Sequence, residues 1–464
     1  MSTPTTEQID LSEPLHVHVV GVGGAGMSTI AAVLAGMGHH TTGSDIKSSR
    51  SLERLAAHGV EVAIGHRPEN LVGVDVLTYS TAVSENNVEI RQARRLGIPV
   101  LSRAELLEAI VALRRTIAVA GTHGKTTTSS MLALVLVEAG LRPSFIIGGE
   151  VNEIGTNAAW DSGELLVVEA DESDGTFLHM VPELGIVTSV EPDHIEHYGS
   201  FEGLKAAFEV FLGQAGSAIV CADDPVAASL APPSAVTYGC SKGAKVRIVG
   251  AESGRSHLRF ELVGPGGSLG LFELPVPGLH NARNAAAAVS AALELGVEVE
   301  HARRALARFA GVARRFEFRG EFGGVTFVDD YAHLPGEVRA ALDAGLGGNF
   351  ARVVCVFQPH RYSRVEMLAP GFADCFEGAD LVVVTDVYSA GEMPRPGVSG
   401  KLVLDAIVGA HADAPAVYVP NREDVVAYLR TNLRPGDLCL TLAAGDLTNL
   451  AAEIAAGLVE SDHR

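Results

Sequence analysis

The sequence predicts an α/β protein of three domains. These are a Rossmann-like N-terminal domain, a central P-loop mononucleotide-binding parallel sheet with added antiparallel strands, and a C-terminal Rossmann-like αβ domain. Three observations predict it. Short apolar runs of strand length alternate with helix-like stretches along nearly the whole chain, as parallel sheets covered by helices require. Two strand-to-helix junctions are glycine-rich, Gly21-Val-Gly-Gly-Ala-Gly26 and Gly121-Thr-His-Gly-Lys-Thr-Thr-Thr128. The length, 464 residues, suggests three domains at about 150 residues each.

Composition excludes several classes. A hydrophobic content of 47% with 20% charged residues is that of a globular chain, and a formal charge of −21 argues against a nucleic-acid or anionic-membrane surface, which needs a basic face. The first ten residues carry neither a basic segment nor an apolar one, and no run approaches the ~18 apolar residues of a spanning helix. A cytoplasmic protein with no membrane insertion and no nucleic-acid partner is expected, as a monomer or homodimer. The five cysteines are widely spaced, in no C-x-x-C, which disfavours disulfides and a structural zinc.

In the first third, residues 15–20 form an apolar strand, Gly21–Gly26 a turn, and 27–37 a helix. Asp45 closes the next strand. This is G-x-G-x-x-G in strand-turn-helix context, which a dinucleotide would suit. The fingerprint reports only a phosphate or pyrophosphate on a helix N-terminus, so a UDP-sugar fits equally. Strand-like runs at 60–64 and 74–78 lead to Tyr79-Ser-Thr-Ala-Val83, whose hydroxyls either contact a sugar or phosphate or close a Ser/Thr turn. A run at 99–102 and a helix through Leu113 complete this part, and Arg114-Arg115 reads as the join, giving a first domain of residues 1–113.

The second glycine turn lies between an apolar strand, 116–120, and a helix through Ala139. Glycines let backbone N–H groups approach phosphate oxygens, and the first helical turn offers unpaired donors and partial positive charge. Lys125 reaches terminal phosphates as a point charge, and the Thr126 hydroxyl suits Mg²⁺. Position 119 is Val where the longer Walker spacing has Gly, so the motif is the short G-T-x-G-K-T form. The chain has only six lysines, and Lys125 is the only one between Lys47 and Lys205.

A strand at 165–168 ends in Glu169-Ala-Asp-Glu-Ser-Asp174, where Glu169 is the candidate metal ligand and Asp171, Glu172 and Asp174 read as loop charges or supporting partners. Another strand, 185–190, ends in Glu191-Pro-Asp-His194. Open parallel sheets bind ligands at the carboxyl ends of their strands, which raises His194 above an ordinary structural histidine. Alternating runs at 245–249, 257–263 and 268–274 read as antiparallel strands flanking the sheet. Asn281 caps an alanine-rich helix through Leu295, and Asn284 is either a surface residue or a reader of an adenine edge. The central domain spans 114–314 and the last 315–464. There, strands and helices alternate, and basic residues gather in Gln358-Pro-His-Arg-Tyr-Ser-Arg364, a cluster suited to a carboxylate.

Taken in order, these motifs together with Asp329-Asp-Tyr-Ala-His333 resemble the Mur ligase family of peptidoglycan synthesis over nearly the whole chain. The resemblance implies an ATP-dependent amide-forming ligase acting on UDP-N-acetylmuramate and L-alanine, with Mg²⁺ or Mn²⁺. It places the UDP-sugar acid at Gly23, Gly24, Ala25, Gly26, Met27, Ser44, Asp45, Ser80, Thr81 and Ala82. ATP would meet Gly121, Thr122, His123, Gly124, Lys125, Thr126 and Thr127, with Asn281 and Asn284 at adenine and Arg315 and Asp330 at ribose. Thr126 and Glu169 would hold one metal ion and His194 a second. Tyr331, His333, His360, Arg361 and Arg364 would meet the alanine, and Lys125, Glu169, His194 and His333 would carry the chemistry. The family usually has a second His where Leu334 stands, and the only lysine following the metal histidine is Lys205, whose offset does not suit the carbamylated lysine of later-acting members.

Overall fold

The computed structural model describes residues 9–80 and 82–454. It contains three sheets. The first is five-stranded and parallel, formed by β1 (His16–Val20), β2 (His40–Asp45), β3 (Glu61–Ile64), β4 (Val76–Tyr79) and β5 (Val100–Ser102) in the order 3-2-1-4-5. Reversal of strand order beside β1 opens a crevice at the carboxyl ends of β1 and β4, with the Gly21–Gly26 turn on one side of it. Helices cover the sheet, and the buried side chains of Val17, Val19, Ile30, Leu34, Leu52 and Leu106 belong to one core.

The second sheet comprises β6 (Arg115–Ala120), β7 (Ser144–Val151), β8 (Thr156–Ala159), β9 (Leu165–Glu169), β10 (Leu184–Val187), β11 (Ser217–Cys221), β12 (Val236–Gly239), β13 (Val246–Ser253), β14 (Leu258–Gly264) and β15 (Gly267–Leu274). Its order is 15-14-13-12-11-10-6-9-7-8. The phosphate-loop strand β6 lies between β9 and β10, parallel to both. The helix after it, Lys125–Glu138, is buried along nearly its whole length, from Thr126 to Leu136.

One expectation for this sheet needs correcting, and one pairing was not foreseen. β13, expected as an antiparallel flank, pairs in parallel with β12 through Tyr238–Val246 and Gly239–Arg247. An antiparallel pair does exist at the opposite edge, β7 with β8, whose glycine-containing, weakly alternating sequence concealed it.

The third sheet holds β16 (Glu317–Phe322), β17 (Val325–Asp330), β18 (Arg352–Gln358), β19 (Leu381–Val384), β20 (Ala416–Tyr418) and β21 (Asp437–Ala443), in the order 16-17-21-18-19-20. All pairs are parallel except β16 with β17. By compactness the described chain divides into two units, residues 9–249 with 262–270 and 283–306, and residues 250–261 with 271–282 and 307–454. The expected α/β architecture of parallel sheets wrapped by helices is present throughout. Among the described residues no helix is long and apolar enough to cross a membrane.

Candidate active site

Neighbouring parallel strands end at the same edge of a sheet, so β9, β6 and β10 deliver three loops to one place: 170–174, 121–125 and 188–194. The register is explicit, with Glu169 beside Val119 and Val187 beside Ala120. Gly121 and Gly124 are both required as glycine. Each has positive φ, and a Cβ would lie 2.2 Å from Thr188 Oγ1 at the first and 2.5 Å from Asn284 Oδ1 at the second. The loop after β10 braces the turn: Thr122 N donates to Ser189 O at 2.9 Å, His123 N to Ser189 Oγ at 3.0 Å, and Glu191 N to Thr122 Oγ1 at 2.9 Å.

The helix begins at Lys125, so Lys125, Thr126 and Thr127 form its first turn, with the unpaired donors an anion needs. Thr126 Oγ1 donates to Glu169 Oε1 at 3.1 Å, and Gly148 N donates to Glu169 Oε2 at 2.8 Å. The two expected metal ligands therefore meet. His194 caps the short helix Ile195–Tyr198 with positive φ, 53°, and its Nε2 lies 3.2 Å from Asp193 Oδ2. The hydroxyl of Tyr198, in the same short helix, donates to Glu172 O, which ties that helix to the loop after β9. Asn284, on the helix Leu279–Glu294, is buried and accepts from Thr128 Oγ1 at 3.3 Å, which sets it against the helix Lys125–Glu138.

Lys125 is held more tightly than expected. Its ammonium donates to Gly121 O at 2.7 Å and to both Glu172 oxygens at 2.9 Å. Glu172, read from sequence as a loop charge, is only 2% exposed. Burial pulls the lysine pKa down, but Glu172, Asp171 and Glu169 outweigh it and the net shift is upward, so the cation persists. Burial, helped by Asp171, pushes the Glu172 carboxyl up to about 7 against the pull of Lys125. The signal available in the sequence was the lysine itself, since a buried ammonium needs a counter-ion.

In the first sheet, Gly23 N donates to Asp45 Oδ2 at 2.8 Å, and Gly21 N donates to Ser44 O at 2.8 Å. The helix Ala25–Gly36 follows, putting Gly24, Gly26 and Met27 at its start. Ser44 is a correction: it is fully buried, its Oγ donating to Glu89 Oε2 at 2.6 Å, so its side chain braces the sheet rather than facing a sugar. Ser80 accepts from Ala82 N at 3.3 Å, the Ser/Thr turn, and that turn lies against Gly21. Thr81 lies outside the described residues.

Sequence reasoning missed Arg103. Its guanidinium carbon lies 3.2 Å from where a Cβ on Gly26 would stand, and its NH1 lies 3.6 Å from Asp174 Oδ2. It therefore joins the glycine turn of the first sheet to the acidic loop of the second. A cation as the first residue of a helix, here Arg103–Val111, opposes the helix dipole and is the clue that an anion belongs nearby.

The remaining candidates lie in the second unit. Asn281 is not a cap: the helix Leu279–Glu294 starts two residues earlier, and Asn281 Nδ2 donates back to Pro277 O at 2.7 Å. Asp330 accepts from Phe316 N and Ala332 N, both at 2.7 Å; burial, partly opposed by Arg315, pushes it up to about 6. Arg315 lies 3.5 Å from Glu337 and over the Tyr331 ring. His333 Nδ1 is 2.9 Å from Tyr331 O and 3.2 Å from Glu337 Oε2. The rings of His333 and His360 are 5.5 Å apart, His360 stacks on Tyr388, and Arg364 NH1 lies 3.2 Å from His360 Nδ1. Burial, with His333, Arg364 and Arg361, pulls His360 down to about 3. Arg361 has positive φ, 65°, and its N donates to Tyr388 O. The structure thus brings His333, His360, Arg361 and Arg364 together. Leu334 is buried in the core, where an imidazole would lose its partners.

A parallel sheet with a short phosphate loop, a threonine–glutamate pair at its helix start and αβ domains on either side in sequence defines an ATP-dependent ligase of the amide-forming class. The chain belongs to the Mur ligase family: its catalytic-domain profile matches residues 16–115, its middle-domain profile 119–292 and its glutamate ligase domain profile 314–445. A UDP-N-acetylmuramate–L-alanine ligase of Anaeromyxobacter sp. (strain Fw109-5) is 45% identical over 97% of this chain and 99% of its own. One from Pelotomaculum thermopropionicum is 43% identical over 96% and 98%. Among solved structures, UDP-N-acetylmuramate-alanine ligase from Thermotoga maritima is 28% identical with a TM-score of 0.79, covering 96% of this chain and 100% of that one. A murein peptide ligase from Psychrobacter arcticus, at 23% identity and a TM-score of 0.68 over 96% and 98% of the two chains, shares the fold.

Proposed function

We propose that the protein joins L-alanine to the lactyl carboxylate of UDP-N-acetylmuramate, consuming ATP and releasing ADP and phosphate, in the making of peptidoglycan precursors. The observation that carries this reading is the meeting of Lys125, Thr126 and Glu169 at one strand edge. The domains are taken as residues 1–113, 114–314 and 315–464, for the UDP-sugar acid, ATP and the amino acid respectively. The strength of the resemblance to alanine-adding ligases, over nearly full length, supports the choice of substrates.

A carboxylate and an ammonium do not condense unaided. A carboxylate oxygen of the UDP-sugar acid attacks the terminal phosphorus of ATP, ADP leaves, and an acyl phosphate remains. The backbone donors of Gly121–Thr127 and the Lys125 ammonium hold the phosphates in line and spread their charge. The amine of alanine, having lost its proton, then adds to the acyl carbon; the tetrahedral oxyanion collapses and expels phosphate. Arg103 and the helix start at Ala25 offer positive charge to the UDP-sugar pyrophosphate. Arg361 and Arg364 offer a carboxylate site for the amino acid, beside His333 and His360.

The hard oxygen donors of Thr126 and Glu169, 3.1 Å apart, fit Mg²⁺ or Mn²⁺; His194, whose Nε2 faces Asp193 Oδ2, would hold a second ion by resemblance to the family. Such an ion would neutralise phosphate charge there. The test is ADP release with each substrate omitted in turn. ADP should form only when both UDP-N-acetylmuramate and L-alanine are present, and release at the same rate without the amino acid would overturn the assignment. Competition between L-alanine and an alanyl peptide would show which amine the third domain takes.

A further inference from the structure

An ammonium has three N–H donors, and all three of Lys125 are engaged: one by Gly121 O, two by the carboxylate of Glu172. A terminal phosphate therefore cannot reach this lysine without displacing one of these acceptors, and two of the three positions belong to Glu172. The carboxylate is itself fixed. Its side chain is 2% exposed, its backbone O accepts from Tyr198 Oη and from Gly175 N, and Asp171 and Asp174 flank it on the same loop. Glu172 thus presents two oxygens to the lysine, as a phosphate would, from a loop that cannot easily withdraw.

We propose that Glu172 is a positioning residue which stands in for the terminal phosphate of the nucleotide, holding Lys125 aimed at the loop and yielding it when ATP binds. The inference rests on the reading of Gly121–Thr128 as the triphosphate loop. It assigns the buried glutamate a competitive role: part of the attraction between Lys125 and phosphate is spent on breaking an existing pair. A buried lysine without such a partner would be poorly oriented and costly to desolvate, so the same contact that weakens nucleotide binding keeps the loop assembled.

The experiment is a double-mutant cycle read by calorimetric titration with ATP and with AMP, on the full chain. Glu172→Gln should tighten ATP by about tenfold, since a neutral amide competes less well for the ammonium. AMP, which lacks the terminal phosphates, should change by less than about twofold. In a Lys125→Met background, Glu172→Gln should bring no gain. ATP binding that is unchanged or weaker in Glu172→Gln, or an equal gain in the Lys125→Met background, overturns the proposal. Should the Gln variant fail to fold, Glu172→Asp retains the charge with a shorter reach; it should tighten ATP by about two- to threefold, and no gain overturns the proposal. If the unaltered protein binds no nucleotide, the phosphate-loop reading itself falls. Turnover separates positioning from mere bulk: kcat should drop in Glu172→Gln while KM for ATP falls, whereas a purely structural defect would lower kcat with KM unchanged or raised.

Discussion

Glu89 offers a sharp test of how the first sheet is held together. Its carboxylate is fully buried and accepts from Ser44 Oγ at 2.6 Å, Asn70 Nδ2 at 2.5 Å and Arg67 N at 2.9 Å, with His66 Nδ1 at 3.2 Å and His18 Nε2 at 3.7 Å. Burial alone would raise its pKa, but His18, Ser44, the Arg67 N–H and Asn70 outweigh it and bring the group from 4.5 to about 2. A depression of that size corresponds to about 3 kcal/mol of stability at neutral pH. Glu89→Gln removes the charge and turns an NH₂ toward groups that are themselves donors, so about the same amount should be lost. Because the folded pKa lies below the ordinary value, this stability is present above pH 4.5 and is lost as pH falls toward 2. Amide hydrogen exchange in β1, β2 and the helix Val88–Leu96 should accelerate by about a hundredfold in Glu89→Gln at pH 7. The gap between variant and unaltered protein should shrink by about half by pH 3.5. Equal protection at pH 7, or a gap that does not shrink in acid, would refute this account of the network.

Thr126→Ala should weaken the dependence on divalent cation, shifting half-saturation by Mn²⁺ and lowering kcat/KM by about 10–100-fold, as measured by phosphate release. Arg103→Ala should raise KM for the UDP-sugar acid by about tenfold or more while leaving KM for ATP within about twofold, which steady-state kinetics with each substrate varied would check. Burial chiefly keeps His360 neutral, with a pKa of about 3, so NMR titration should show no imidazolium signal for it between pH 5 and 8. A histidine whose folded pKa is depressed contributes stability that is full above its ordinary 6.5 and is lost as pH falls toward 3; His360→Gln should flatten that slope in acid. Arg364→Lys, which loses the planar fork, should raise KM for L-alanine with little change in KM for ATP.

The chemistry of the central loop was legible in the chain itself. A glycine, a lysine and a threonine in fixed spacing between an apolar strand and a helix dictate a backbone geometry that few other ligands than phosphate would exploit. Strand-end positions such as Glu169 could be found for the same reason, since parallel sheets put their functional residues at carboxyl ends and an apolar run shows where a strand stops. Tertiary structure alone decided the partners. Strand order set β9 and β10 on either side of β6 and so turned Glu172 from one of several loop charges into the counter-ion of Lys125. It also buried Ser44, laid Arg103 against Gly26 and gathered His333 with His360, pairings between residues distant in the chain. Local sequence specifies φ, ψ and periodicity; which side chains share a desolvated space depends on the order in which strands associate, and there the electrostatics of this site are determined.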